Sequence, residues 1–306
     1  SSTFRRYGSP APPIGVRRAE ALAAGELRLR YSYERLRNNE LQVSGADRTQ
    51  TEVLGSAALT VPVSLDVTEH LFSLAYAPHS RVTLVAQVPV VVKEFEQLSS
   101  AGRNQRETEG IGDVSLAVIV PFIRRGRESS HLHIAVEAPT GSIQQDGPTG
   151  RLPYDNQLGN GTWDLEWGWT YRGERDHFAW GAQLTGHQPV GTNSLHYRDV
   201  SRFDASLWSG VRLFRGLSAS LRVAAQKQNN TRGGDRSLSL VNDGPAANTK
   251  ARGGFRVDLS PGVTLELPEL GRQRLAVEFG VPVYEEVDGP RLARDYSFKV
   301  GWQWIY

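Results

Sequence analysis

The chain of 306 residues has no cysteine and no methionine. Without cysteine there is no disulfide framework and no thiolate metal site. Methionine is missing even at position 1, so the chain is expected to start after a removed signal peptide, as an exported protein does. Also missing is any run near the roughly 20 apolar residues that a membrane helix requires. A membrane barrel escapes that test, because only alternate residues of its strands touch lipid. Neither charge sign is in excess. Lys and Arg number 35 against 33 Asp and Glu, and the two signs are interspersed. A nucleic-acid binder would gather its cations on one surface, so that class is excluded.

What is present is alternation. At the C-terminus Tyr296, Phe298, Val300, Trp302, Trp304 and Tyr306 fall on one face, and Ser297, Lys299, Gly301 and Gln303 on the other. Period two means a strand with one apolar side. Leu27, Leu29, Tyr31 and Tyr33 likewise oppose Glu26, Arg28, Arg30, Ser32 and Glu34. A polar row of that length suits a hydrated lumen better than a soluble sandwich. In segment 57–76, Ala57, Leu59, Val61, Val63, Leu65 and Val67 have one parity, and Phe72, Leu74 and Tyr76 the other. Either a bulge near Thr68–His70 reconciles them, or the first half projects beyond the membrane. Ser260-Pro-Gly262 reads as a second bulge or kink.

Twelve such segments follow one another, and the connections between them alternate long and short. The predicted fold is an all-β, antiparallel up-and-down barrel over residues 25–306, with short periplasmic turns and long outer loops. An even count puts both termini in the periplasm. Residues 1–24, broken by Ser9-Pro-Ala-Pro-Pro13, form a separate segment that is either periplasmic or folded into the lumen.

The apolar, aromatic end at Tyr306 resembles the closing strand of bacterial outer-membrane barrels, which the barrel-assembly machinery reads. Further motifs are Glu109-Gly-Ile-Gly-Asp113, Ala138-Pro-Thr-Gly141, Leu158-Gly-Asn-Gly-Thr-Trp-Asp164, Leu259-Ser-Pro-Gly262, Val281-Pro-Val-Tyr284 and Asp288-Gly289. Together they resemble the outer-membrane barrel family named for the meta-pathway of phenol degradation. The resemblance implies a transporter, in some members for aromatic compounds. Its motif positions here are Gly110, Gly112, Asp113, Pro139, Thr140, Gly141, Gly159, Gly161, Asp164 and Pro282. The glycines have a sufficient structural explanation, since they permit positive φ and close backbone approach where loops enter strands.

Parity assigns the lumen. Pore-lining candidates on the first half of the chain are Arg28, Arg30, Glu34, Lys93, Asp113, Glu137, Asp164 and Glu166. The second half adds Arg202, Asp204, Trp208, Arg212, Arg222, Arg252, Arg256, Asp258, Glu278 and Lys299. They either lace the lumen with salt bridges or form a selectivity zone, with acids on one wall and arginines on the other. Trp208 is the inward exception among aromatics, with a packing role. Trp163, Trp167, Trp169, Tyr171, Trp180, Trp302, Trp304 and Tyr306 read as interfacial girdle residues. His131 and His133, at i and i+2, are a weak metal pair, and no metal or other cofactor is expected. An enzyme on the lipid face would need a serine–histidine set. Ser209 is the only outward polar candidate, and no outward histidine accompanies it, so enzymatic activity is not expected.

The expected function is passive passage of a small organic solute through the outer membrane, and the resemblance implies that aromatic compounds are among the candidates. The expected partners are outer-membrane lipid and lipopolysaccharide, the barrel-assembly machinery and the solute. The alternative is a closed scaffold barrel that holds an envelope protein, such as a redox protein. A soluble β-sandwich is the third reading.

Overall fold

The computed structural model describes residues 9–54, 60–99, 101–148 and 150–306. Ala57 and Leu59 lie outside them. Twelve antiparallel strands close into one barrel. In chain order they are β1 (Leu27–Val43), β2 (Thr60–His79), β3 (Val82–Ser99), β4 (in two parts, Gly102–Ile111 and Val114–Arg125), β5 (Glu128–Ala138) and β6 (Trp163–Arg175). They continue as β7 (Phe178–Val190), β8 (Arg202–Phe214), β9 (Leu217–Gln228), β10 (Gly254–Leu267), β11 (Gln273–Val287) and β12 (Arg291–Ile305). Closure is between β1 and β12, from Arg28 opposite Ile305 up to Gln42 opposite Arg291. Leu27 and Tyr306 exchange both backbone hydrogen bonds, at 2.8 and 2.9 Å. No strand edge is left bare at the seam.

Exposed hydrophobics mark the outer surface. Leu116, Val118, Val120 and Phe122 of β4 alternate with buried Ala117 and Ile119. In water such a surface would drive association; in a bilayer it is the required one. At the end where the described chain enters and leaves the barrel, turns are minimal. Gly126, Asp176 and Gly216 take positive φ there, which lets the chain reverse in two residues.

Three features differ from the sequence expectation. No bulge interrupts β2 at Thr68–His70, whose pairing with β1 runs unbroken. The shift falls instead at Pro62/Ser64. Val61 and Leu65 lie at the long-loop end, packed with Leu41 and Leu292; the first half of the segment thus projects, and its apolar face is covered from within. Second, Pro261 stays in an unbroken pairing with β9, and the irregularity in β10 is three residues earlier, at Val257/Asp258 opposite Tyr284 and Pro282. Third, the polar stretch after Val92, where no alternation marks a strand, continues the sheet. It is a hairpin of β3 and the first part of β4, with Val92 opposite Glu109 and Ser99 opposite Gly102. Its outer face is solvated, and its inner face, with Phe95 and Thr108 buried, is largely polar and covered by connection 139–162, so it carries no apolar alternation to read.

The long connections pack together at the other end. Lys93 Nζ donates to the Asp155 and Gln157 carbonyls (2.9 and 2.5 Å), drawing connection 139–162 against the inner wall. Asp235 of connection 229–253 donates its backbone N–H to Tyr154 Oη (2.9 Å) and ion-pairs with Arg151 (3.3 Å). Arg252 bridges Asp155 at 2.9 Å and Asp199 at 3.4 Å.

Candidate functional site: the lumen and the segment within it

Residues 9–24 run inside the barrel. Arg18 is buried and bridges Glu166 of β6, and it also donates to Gln87 of β3 (2.7 Å). The Arg18 carbonyl accepts from His131 Nε2 (2.8 Å), and the Arg17 carbonyl from Gln183 of β7 (2.8 Å). Arg30 of β1 donates to the Ile14 carbonyl (2.8 Å), and Gly15 N–H to Glu278 of β11 (3.3 Å). Glu20 is bridged by Arg274 at 2.9 Å and approached by Arg28 at 3.9 Å. Wall residues of β1, β3, β5, β6, β7 and β11 thus meet the backbone and side-chain polar groups of a segment whose prolines keep it from forming its own ladder.

The inner wall is not polar throughout. Ala75, Ala77, Val85, Ala117, Ile119 and Ala135 make an apolar inner patch near the short turns, and Leu22 packs on it. Beside residues 12–20 lie two narrow spaces of about 30 Å³ each. Above them opens a cavity of about 540 Å³.

Half of the pore-lining candidates face that cavity: Glu34, Glu137, Glu166, Arg202, Asp204, Arg222, Arg256, Asp258 and Lys299. Arg17, Glu69, His187, Glu285, Arg291 and Arg294 join them, and the sequence reading had left these out. The other candidates do not line the cavity, each for its own reason. Arg28 and Arg30 flank the inserted segment, and Glu278 lies beneath Gly15 between that backbone and Arg222. Lys93 is covered by connection 139–162, and Arg252 belongs to the packed loops. Arg212 bridges Glu266 (2.6 Å) near a short turn. Asp164 is buried beneath His187, and Trp208 lies flat over Gly181, directly opposite it.

Charges pair locally rather than across the lumen. Lys299 meets Glu34 at 3.0 Å and Arg222 meets Glu278 at 2.5 Å, in each case on neighbouring or near strands. Arg202–Asp204 (3.0 Å) and Arg256–Asp258 (2.9 Å) pair within one strand. This removes most of the expected arginine wall.

Three of the motifs, at 109–113, 138–141 and 158–164, converge on one corner. Asp113, in the gap between the two parts of β4, accepts from the backbone N–H of Gly141 (2.9 Å) and Asn160 (3.1 Å). Thr140 Oγ1 accepts from Val114 N–H and donates to the Gly112 carbonyl. Gly141 and Gly159 touch backbone to backbone, so a Cβ on Gly141 would stand 2.7 Å from the Leu158 carbonyl oxygen. Gly110 and Gly161 have positive φ. Asp113 is therefore a corner residue and not a pore residue, while Pro139 leads into the corner and Pro282 lies across the barrel at the β10–β11 irregularity.

The aromatic belt divides. Tyr171, Trp180, Trp302, Trp304 and Tyr306 cluster toward the short-turn end, and Trp163 starts β6 at the other. Trp167 and Trp169 stand mid-wall, opposite Ile134 and Leu132. Trp167 covers Gly186 and Trp180 covers Gly173, their direct cross-strand partners; an indole over a glycine fills the gap in the pleat.

His131 and His133 do not form a metal pair. Their Nε2 atoms are taken by the Arg18 carbonyl and by Glu166 (3.2 Å). On the outer face His70, hydrogen-bonded to Tyr31 (2.8 Å), corrects the expectation that no outward histidine exists. It sits on β2 while Ser209 sits on β8, half the ring away, so no serine–histidine pair forms there among the described residues.

No family model matches the chain, and no curated protein does. Solved structures do. An outer membrane channel from Pseudomonas putida F1 aligns over 96% of this chain and 100% of its own, with TM-score 0.68 and 14% identity. The fold is that of an outer-membrane β-barrel. The NanC porin and the β domain of the Bordetella autotransporter BrkA also align over at least 91% of this chain. Both have TM-scores of 0.46, at 7% and 14% identity, too low to argue from.

Proposed function

We propose that the chain is a passive outer-membrane channel for a small polar solute, held nearly closed by residues 9–24. The observation that carries this reading is the cavity of about 540 Å³ inside a closed, lipid-compatible barrel, lined by carboxylates and guanidiniums. Such a lining replaces the hydration of a polar or zwitterionic solute and offers little to a bare aromatic ring. An aromatic solute would need polar substituents to be accommodated. Short turns at the terminus end support a periplasmic placement of both termini, with the packed long loops outside. Lipopolysaccharide and outer-membrane lipid would contact the apolar belt, and the aromatic last strand fits the assembly machinery's signal. The motif corner supports kinship with the meta-pathway phenol-degradation barrels.

One observation favours the second reading, a closed scaffold for an envelope partner: the inserted segment fills the lumen between β1, β3 and β11 so closely that the spaces there measure about 30 Å³ each. Liposome swelling separates the two. A channel admits small amino acids and sugars at rates that fall with solute size. Swelling equal to that of empty liposomes for every solute, with and without residues 9–24, would leave the scaffold.

A further inference from the structure

Glu137 of β5 and Asp164 of β6 are direct cross-strand partners on the lumen face. Like charges in that relation repel. The nearby guanidiniums are engaged elsewhere: Arg18 bridges Glu166, Arg17 bridges Glu69 (2.9 Å) and Arg202 bridges Asp204 (3.0 Å). What stands between the two carboxylates is His187 of β7. Its Nε2 lies 3.3 Å from Glu137 Oε2 and 3.0 Å from Asp164 Oδ2. One imidazole nitrogen and two carboxylate oxygens thus fall within 4.8 Å of one another. Three hydrogen-bonded strands carry them, which fixes their spacing. Thr162 Oγ1 donates to Asp164 Oδ1 (2.8 Å) and Asn160 Nδ2 donates to Oδ2. Contacts of this kind orient a ligating carboxylate. Glu137 and His187 border the large cavity, so an ion has a way in and room for water or solute as further ligands.

We propose that Glu137, Asp164 and His187 bind a first-row divalent transition cation such as Zn²⁺. An imidazole with two carboxylates is a donor set for such ions, whereas Ca²⁺ takes oxygen ligands alone. Two carboxylates with a neutral imidazole carry a charge of about −2, which the ion cancels. The ion would bind His187 through a deprotonated ring nitrogen, as any ligating imidazole does. The site does not depend on whether the barrel conducts.

The test is calorimetric titration of the full chain in detergent micelles with ZnCl₂, and with CoCl₂ for its visible absorption. One saturable site is expected. H187N and E137Q should each remove saturable binding, and T162V should weaken it about 10- to 100-fold. Asp164 also holds the motif corner, so the two variants that leave that corner intact are the decisive ones. Absence of saturable binding by the wild type overturns the site. So does an unchanged isotherm in the H187N/E137Q double variant, which would place the ion on other histidines.

Discussion

At the residue scale the account rests on which way each side chain points. Val118 and Leu221 point to lipid, both at least 40% exposed on the barrel's outer face. Replacing either with arginine puts a cation near the apolar midplane at a cost of about 2–4 kcal/mol. V118R and L221R should lower the folded, membrane-inserted fraction, read as heat-modifiable migration of the barrel on gels; inward A117S should not. Parity made this level legible, since a strand writes its two faces into the sequence. Parity did not reveal His187. Its partners Glu137 and Asp164 are on two other strands, so no spacing within the chain brings the three together. It also failed to separate a lumen residue from a folded-in one: Asp113 and Arg222 look alike in an alternating pattern, yet the first closes a backbone corner and the second faces the cavity.

At the element scale the strands were readable and the inserted segment was not. Prolines showed that residues 9–24 leave the sheet; nothing local showed what would receive them. Their polar partners are wall residues contributed by β1 to β7 and by β11. Glu20 gives this element a pH signature. Burial alone would raise its carboxyl, but Arg274, Arg172 and Arg28 outweigh burial and hold it at about 2. A carboxyl held below its ordinary 4.5 favours the seated segment at neutral pH, and that contribution fades as the pH falls below 4.5 and is gone below about 2. Protease access to residues 9–24 should therefore rise between pH 4.5 and 2, and an E20Q variant should show the raised access already at pH 7. Equal access at both pH values would remove Glu20 from the lock. The connection 229–253 makes a different case. It packs on connection 139–162 through Tyr154, Asp155 and Arg151, and no strand-to-strand pairing of the barrel depends on it. Deleting 229–247 should leave the barrel folded while raising hydrogen exchange at 151–157. Loss of folding would show that the packed loops are needed for closure.

At the scale of the whole molecule, twelve strands and a hydrated cavity follow from alternation and loop lengths, while the constriction does not. Lumen width depends on what fills it, and the filling is a segment outside the sheet docked on an apolar inner patch that parity had marked as wet. The lumen's polarity is likewise settled by pairing: Arg222 meets Glu278 and Lys299 meets Glu34 at 2.5–3.0 Å once the strands are laid side by side, while Arg202 and Arg256 pair with acids of their own strands. The claim that unites these scales is a conducting barrel narrowed by its own N-terminal residues. Single-channel recording in planar bilayers tests it most directly. Wild-type protein should give small, brief conductance steps, and a variant lacking residues 9–24 should give larger, long-lived ones. Silent bilayers from both proteins, with the folded barrel demonstrably inserted, would contradict the account.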